Sequence, residues 1–193
     1  MSQTTNILIA GVGGQGTVLA ARILSRLLIA KGYDIKVSEI HGMSQRGGSV
    51  ITQVRFGEKV YSPIIEPGSA DYLLAFEKLE GVRALPYLRK GGCLIVNAKE
   101  INPMPVTMGK MPYPSDLDDY LKSIDAKVTL FDAYSLALNA GNPKALNMVL
   151  LGAWAQAFGL KEEEGLKVIE DNVPAKFLDV NIEGFKKGYA VCQ

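Results

Sequence analysis

Apolar residues enter this chain as a short unbroken run, Asn6-Ile7-Leu8-Ile9-Ala10, and then change to helical spacing. A run that short reads as a strand buried on both faces, as in a parallel sheet. It ends in the glycine cluster Gly11-Val12-Gly13-Gly14-Gln15-Gly16. From Thr17 to Ala30 the apolar positions Val18, Leu19, Ile23, Leu24, Leu27 and Leu28 recur at helical intervals, while Arg22, Ser25 and Arg26 hold a narrow polar face. That pattern predicts a helix, stopped by Lys31-Gly32. Ile35 to Glu39 predicts a second strand and completes a Rossmann-like strand, helix, strand unit.

Beyond it, His41-Gly42-Met43-Ser44-Gln45-Arg46-Gly47-Gly48 is too glycine-rich for a regular element and reads as a loop. Ser49 to Phe56 alternates as a strand, and Gly57-Glu58 is placed to turn it into a hairpin with Lys59 to Ser62. Further strands are predicted over Ala70 to Phe76, Cys93 to Asn97 and Lys127 to Phe131, with helices over Leu79 to Leu88 and Asp116 to Ile124. Prolines at 103, 105, 112 and 114 make residues 101–115 an irregular excursion. Pro143 to Phe158, Glu162 to Glu170 and Glu183 to Ala190 read as helices. The expectation is one domain over residues 1–193: α/β, with a single open, doubly wound, mostly parallel or mixed sheet and a helical C-terminal third.

Composition narrows the chemistry. With 193 residues, 48% hydrophobic and 21% charged, the chain can bury a core of its own. Twenty-one Lys and Arg against 20 Asp and Glu leave a net charge of +1, which gives no electrostatic footprint for nucleic acid. No apolar stretch approaches the ~18 residues of a membrane span, and no basic segment leads into a signal-type core. The expected setting is the cytoplasm. Cys93 and Cys192 are the two cysteines, too few for a disulfide framework, a ferredoxin-type cluster or a four-thiolate zinc site.

Candidate chemistry therefore rests on two loops. Residues Gly11 to Gly16 fit G-x-G-x-x-G between a predicted strand and helix, where glycines let backbone N–H groups approach a phosphate and the helix start adds a favourable field. The same glycines would also serve close packing of helix on sheet. Thr17 stands where a phosphate-holding Lys would follow in a Walker A loop, so ATP hydrolysis is not indicated. Glu39 lies near the ~20-residue offset of an NAD ribose ligand, which keeps a free-standing NAD-dependent dehydrogenase open as the alternative. In the second loop Ser44, Gln45, Arg46 and Gly47 place a hydroxyl, an amide and a guanidinium beside glycines, a pattern suited either to an anion or to a solvated surface. His41 is the single histidine. Cys93, at a strand start, reads as core, and Asn147 opens an apolar helix segment facing either the backbone or a ligand.

The glycine loop together with Glu39-Ile40-His41-Gly42-Met43-Ser44-Gln45-Arg46-Gly47-Gly48-Ser49-Val50 closely resembles the gamma-type subunit family of 2-oxoacid:ferredoxin oxidoreductases, and its indolepyruvate branch in particular. The likeness runs over essentially the whole chain. It implies a subunit with no catalytic residue and no tightly bound cofactor of its own. It would assist coenzyme A binding through Gly11, Gly13, Gly14, Gln15, Gly16, Ser44, Gln45, Arg46 and Gly47. A partner subunit would carry thiamine diphosphate and iron–sulfur clusters, and the complex would pass electrons to ferredoxin.

Overall fold

Six strands form one mixed sheet in the computed structural model, which describes residues 4–41 and 47–192. In chain order they are β1 (Thr5–Val12), β2 (Asp34–His41), β3 (Ser49–Gly57), β4 (Ala70–Ala75), β5 (Leu88–Asn97) and β6 (Lys127–Phe131). Their spatial order is β2-β3-β1-β4-β5-β6. β3 runs antiparallel to both neighbours, its Phe56 standing opposite Thr5 of β1 and Ile35 of β2. The pairs β1–β4, β4–β5 and β5–β6 are parallel.

The mixed sheet was expected, but not by this route. β1 and β2 are parallel to each other with β3 inserted between them, so the first strand, helix, strand unit is split. The expected hairpin strand at Lys59 to Ser62 does not form. Both edges of β3 are already paired, so a returning strand has no free ladder to join. The segment instead crosses one face of the sheet on borrowed partners. Asp34 Oδ2 accepts from the Val60 amide at 2.9 Å, Gln53 Oε1 from the Ile65 amide at 2.5 Å, and Arg55 donates to the Ser62 and Ile64 carbonyls.

Helices cover both faces. α1 (Thr17–Ala30) follows the predicted bounds. α2 (Lys78–Ala84) stops earlier than Leu88 because Pro86 follows, and a single 3-10 turn leads into β5. The excursion contains one short helix, α3 (Met104–Thr107), and α4 (Leu117–Ser123) comes next. α5 (Ala133–Asn139) was not expected. Asp132 caps it, taking the Ser135 amide at 2.9 Å, a short polar signal outweighed in the sequence by the small apolar run. The helical C-terminal part comprises α6 (Leu146–Phe158), α7 (Glu162–Asn172) and α8 (Ala175–Tyr189), the last beginning well before Glu183.

Alternation along the strands divides the core. Ile7, Ile9, Leu74 and Ile95 face α1 and α6 to α8, whereas Leu8, Leu73, Leu94 and Val96 face the α2 and α4 side. α6 is buried nearly all round, with Trp154 stacked on Phe158 at 5.1 Å. It lies so close to α8 that a Cβ on Gly188 would collide with the Val149 carbonyl and one on Gly152 with that of Phe185.

Candidate functional site

β1 delivers the chain to the C-terminal edge of the sheet, where the glycine loop turns it into α1. Gly14 and Gly16 take φ of 102° and 87°, the left-handed region that other residues enter at a cost. Between them Gln15 braces the turn. Its Oε1 accepts from the Val12 amide at 2.7 Å and its Nε2 donates to the Phe76 carbonyl at 3.0 Å. Gly16 is the residue that opens α1; among the described residues no side chain caps the helix, and no acid stands in its first turn. The first-turn amides therefore keep their donors and the positive end of the helix field.

The two loops singled out in the sequence meet. The Gly13 amide donates to the Gly48 carbonyl at 2.8 Å, and the Gly47 amide donates back to Gly13 at 3.4 Å. Ser44, Gln45 and Arg46 lie outside the described residues, as does the side chain of His41. Just after the loop, Ser49 Oγ donates to Glu80 Oε2 at 2.5 Å, which ties it to α2.

At the ends of β4 and β5 a second brace forms. Asn97, fully buried, donates to the same Phe76 carbonyl at 3.0 Å, and its Oδ1 accepts from the Ala133 amide at 3.1 Å. Above this floor opens a cleft of about 420 Å³, lined among others by Gly14, Gly16, Lys99, Tyr134, Lys144 and Asn147. Among the described residues its lining carries two lysines and no carboxylate. The Lys99 ammonium stands 4.9 Å from the Tyr134 ring centroid. Asn147 is 2% exposed, and its Oδ1 accepts from the Met148 amide at 2.9 Å. Asn147 is the second residue of α6, which continues from a 3-10 turn capped by Asn142. The uncapped start of α1 and two ammonium groups thus border one cavity, an arrangement that attracts an anion.

A second cleft of about 410 Å³ opens on the other side of the glycine loop, bordered by Gly13, Thr17, Val18, Glu39 and Val50. Glu39 belongs to β2, which β3 separates from β1. The adjacent-strand placement that lets an acid hold an NAD ribose is absent, and the dehydrogenase reading has no support. Cys93 sits on β5 at the opposite edge of the sheet, where burial first and the nearby Cys192 second push its thiol up to about 11.

Sequence reasoning missed Asn97, Lys99, Tyr134 and Lys144. Asn97 carried a usable signal, a lone amide closing the apolar run Leu94-Ile95-Val96. It also missed a network that pins the excursion beside the cleft. Glu77, 1% exposed, accepts from the Glu80 amide at 2.8 Å, the Ile101 amide at 3.1 Å and the Tyr113 hydroxyl at 2.6 Å. Burial and the Glu77 carboxylate push that hydroxyl above the usual tyrosine range. Lys78 pairs with Glu100 at 2.8 Å and Asp118 at 2.7 Å.

Together these features define an open α/β domain. Its anion-attracting crevice lies at the carboxyl ends of the strands, where the chain turns to opposite sides of β1. The family described as pyruvate ferredoxin/flavodoxin oxidoreductase matches residues 6–191, and the chain belongs to it. It is 46% identical over 189 residues to the indolepyruvate oxidoreductase subunit IorB of Thermococcus kodakarensis, covering 95% of this chain and 93% of that protein. The counterpart from Pyrococcus horikoshii is 44% identical with the same coverage. The fold matches the keto/oxoacid ferredoxin oxidoreductase gamma subunit of Geobacter sulfurreducens, with a TM-score of 0.73 at 24% identity, over 97% of this chain and 98% of that one. The chain is thus a subunit of a 2-oxoacid oxidoreductase complex. Among the described residues no helix is long and apolar enough to cross a membrane.

Proposed function

We propose that this chain, in an indolepyruvate or related arylpyruvate:ferredoxin oxidoreductase, binds the phosphate groups of coenzyme A and completes the site of its thiamine-bearing partner. The complex would convert the 2-oxoacid, coenzyme A and oxidised ferredoxin to acyl-CoA, carbon dioxide and reduced ferredoxin. Thiamine diphosphate, held with the iron–sulfur clusters on the partner subunit, would supply the decarboxylation chemistry. The observation carrying this reading is the cleft in which Lys99 and Lys144 face the uncapped start of α1 with no carboxylate among them.

The geometry supports these residue roles. Gly14 and Gly16 give the backbone its close approach, while Gly11 and Gln15 hold the turn. A Cβ on Gly11 would stand 3.0 Å from both Gln15 Oε1 and Phe76 Cβ. Gly13 and Gly47 join the two loops, and Ser44, Gln45 and Arg46 stand in the sequence next to that junction. Steady-state kinetics of the assembled complex test the reading. Lys144→Ala and Arg46→Ala should each raise KM for coenzyme A about tenfold or more, the loss of a charge-assisted contact of about 1.5–3 kcal/mol, and leave KM for the 2-oxoacid unchanged. Unchanged coenzyme A kinetics in both variants would sink it.

A further inference from the structure

At the sheet edge opposite the glycine loop, where β4, β5 and β6 begin, the turn after α8 folds back over the strands. A cleft of about 270 Å³ lies there, bordered by Tyr72, Cys93, Lys127, Thr129, Gln156 and Cys192. It holds both cysteines of the chain, each half-buried and free. In the β5–β6 ladder Cys93 stands opposite Lys127 and Ile95 opposite Thr129. Partners in register share a face, so Cys93 and Thr129 lie on the face that α6 and α8 cover. Cys192 reaches that face from the terminal turn, with Sγ 3.8 Å from Thr129 Oγ1. One thiol comes from the sheet and one from the turn, into one solvent-connected cavity.

We propose that Cys93 and Cys192 are a modification site, an intramolecular disulfide made by peroxide that fastens the end of α8 to β5. In the first step the Cys192 thiolate attacks a peroxide oxygen. A sulfur–oxygen bond forms, the oxygen–oxygen bond breaks, and hydroxide leaves a sulfenic acid. In the second the Cys93 sulfur attacks the Cys192 sulfur. The disulfide forms, the sulfur–oxygen bond breaks, and the hydroxyl departs with the Cys93 proton as water.

The order of attack follows from placement. Cys93 is held by ladder partners on both sides, Tyr72 on β4 and Lys127 on β6, so closure falls to the turn that carries Cys192. The charged groups around Cys93 are Asp71 of β4, Arg89 of β5 and Lys127 of β6. Lys127 draws its thiol down, but burial outweighs it and leaves Cys93 protonated near neutrality. A protonated buried thiol is a poor first reactant; it enters in the second step, condensing with the adjacent sulfenic acid as its proton leaves with the hydroxyl.

The test is hydrogen peroxide added to the full chain, purified without oxygen, with non-reducing peptide mass mapping as the readout. The expected product joins the Cys93 and Cys192 peptides within one chain, with free thiols falling from two to none and returning with dithiothreitol. Cys93→Ser should leave Cys192 as a sulfenic acid trapped by dimedone, and Cys192→Ser should leave Cys93 reduced at the same dose. A dominant chain-to-chain disulfide, two thiols still free, or equally fast oxidation of Cys93 in Cys192→Ser would overturn the proposal. If circular dichroism shows Cys93→Ser unfolded, Cys93→Ala takes its place with the same readout.

Discussion

Gln15 shows how a residue inside a ligand-binding pattern works for the backbone instead. Both ends of its amide are spent on Val12 and Phe76, so Gln15→Leu leaves the amide of the buried Val12 without its partner. Chemical denaturation should show a loss of about 1–3 kcal/mol. Asp34 acts similarly for the segment after β3. The Val60 amide and the Lys36 ammonium hold its carboxyl down at about 2. The folded pKa lies below the unfolded one, so its contribution to stability is present above about pH 4 and drains away as pH falls towards 2. Melting temperatures should therefore separate wild type from Asp34→Asn at pH 6 and converge at pH 2. Neither role was legible in the sequence, because one partner of each, Phe76 for Gln15 and Val60 for Asp34, is brought in from far along the chain.

At the scale of elements, the pattern gave existence and type far better than neighbourhood. β1, α1 and the glycine loop were legible because an apolar run, a glycine cluster and a helical period are local signals. The insertion of β3 between β1 and β2 was not, since strand order depends on which ladder edges are free. α5 was hidden for a related reason: its seven residues bury only Ala133 and Ala137, too little for a period to show. The pairing of α6 with α8 rests on glycines that read as helix-weakening in one dimension. Gly188→Ala places a methyl against the Val149 carbonyl and should cost about 1–3 kcal/mol or more, measured by the unfolding midpoint and accompanied by changed Trp154 fluorescence.

For the molecule as a whole, one histidine and two cysteines leave the chain without ligands for even one four-thiolate cluster. The isolated chain should form no acyl-CoA from an arylpyruvate. Turnover, followed by ferredoxin reduction, should appear when the partner subunit is added back. The sequence by itself determined the α/β class, the glycine turn and the family likeness, because each is written in local motifs and spacing. Only the tertiary structure decided that β3 would divide the first unit, that Gly13 would bond to Gly47 and Gly48, and that Asn97, Lys99, Tyr134 and Lys144 would gather around Gly16. Those residues come from the ends of different strands and helices, and only packing of the two layers on one sheet brings their polar groups to a common cleft.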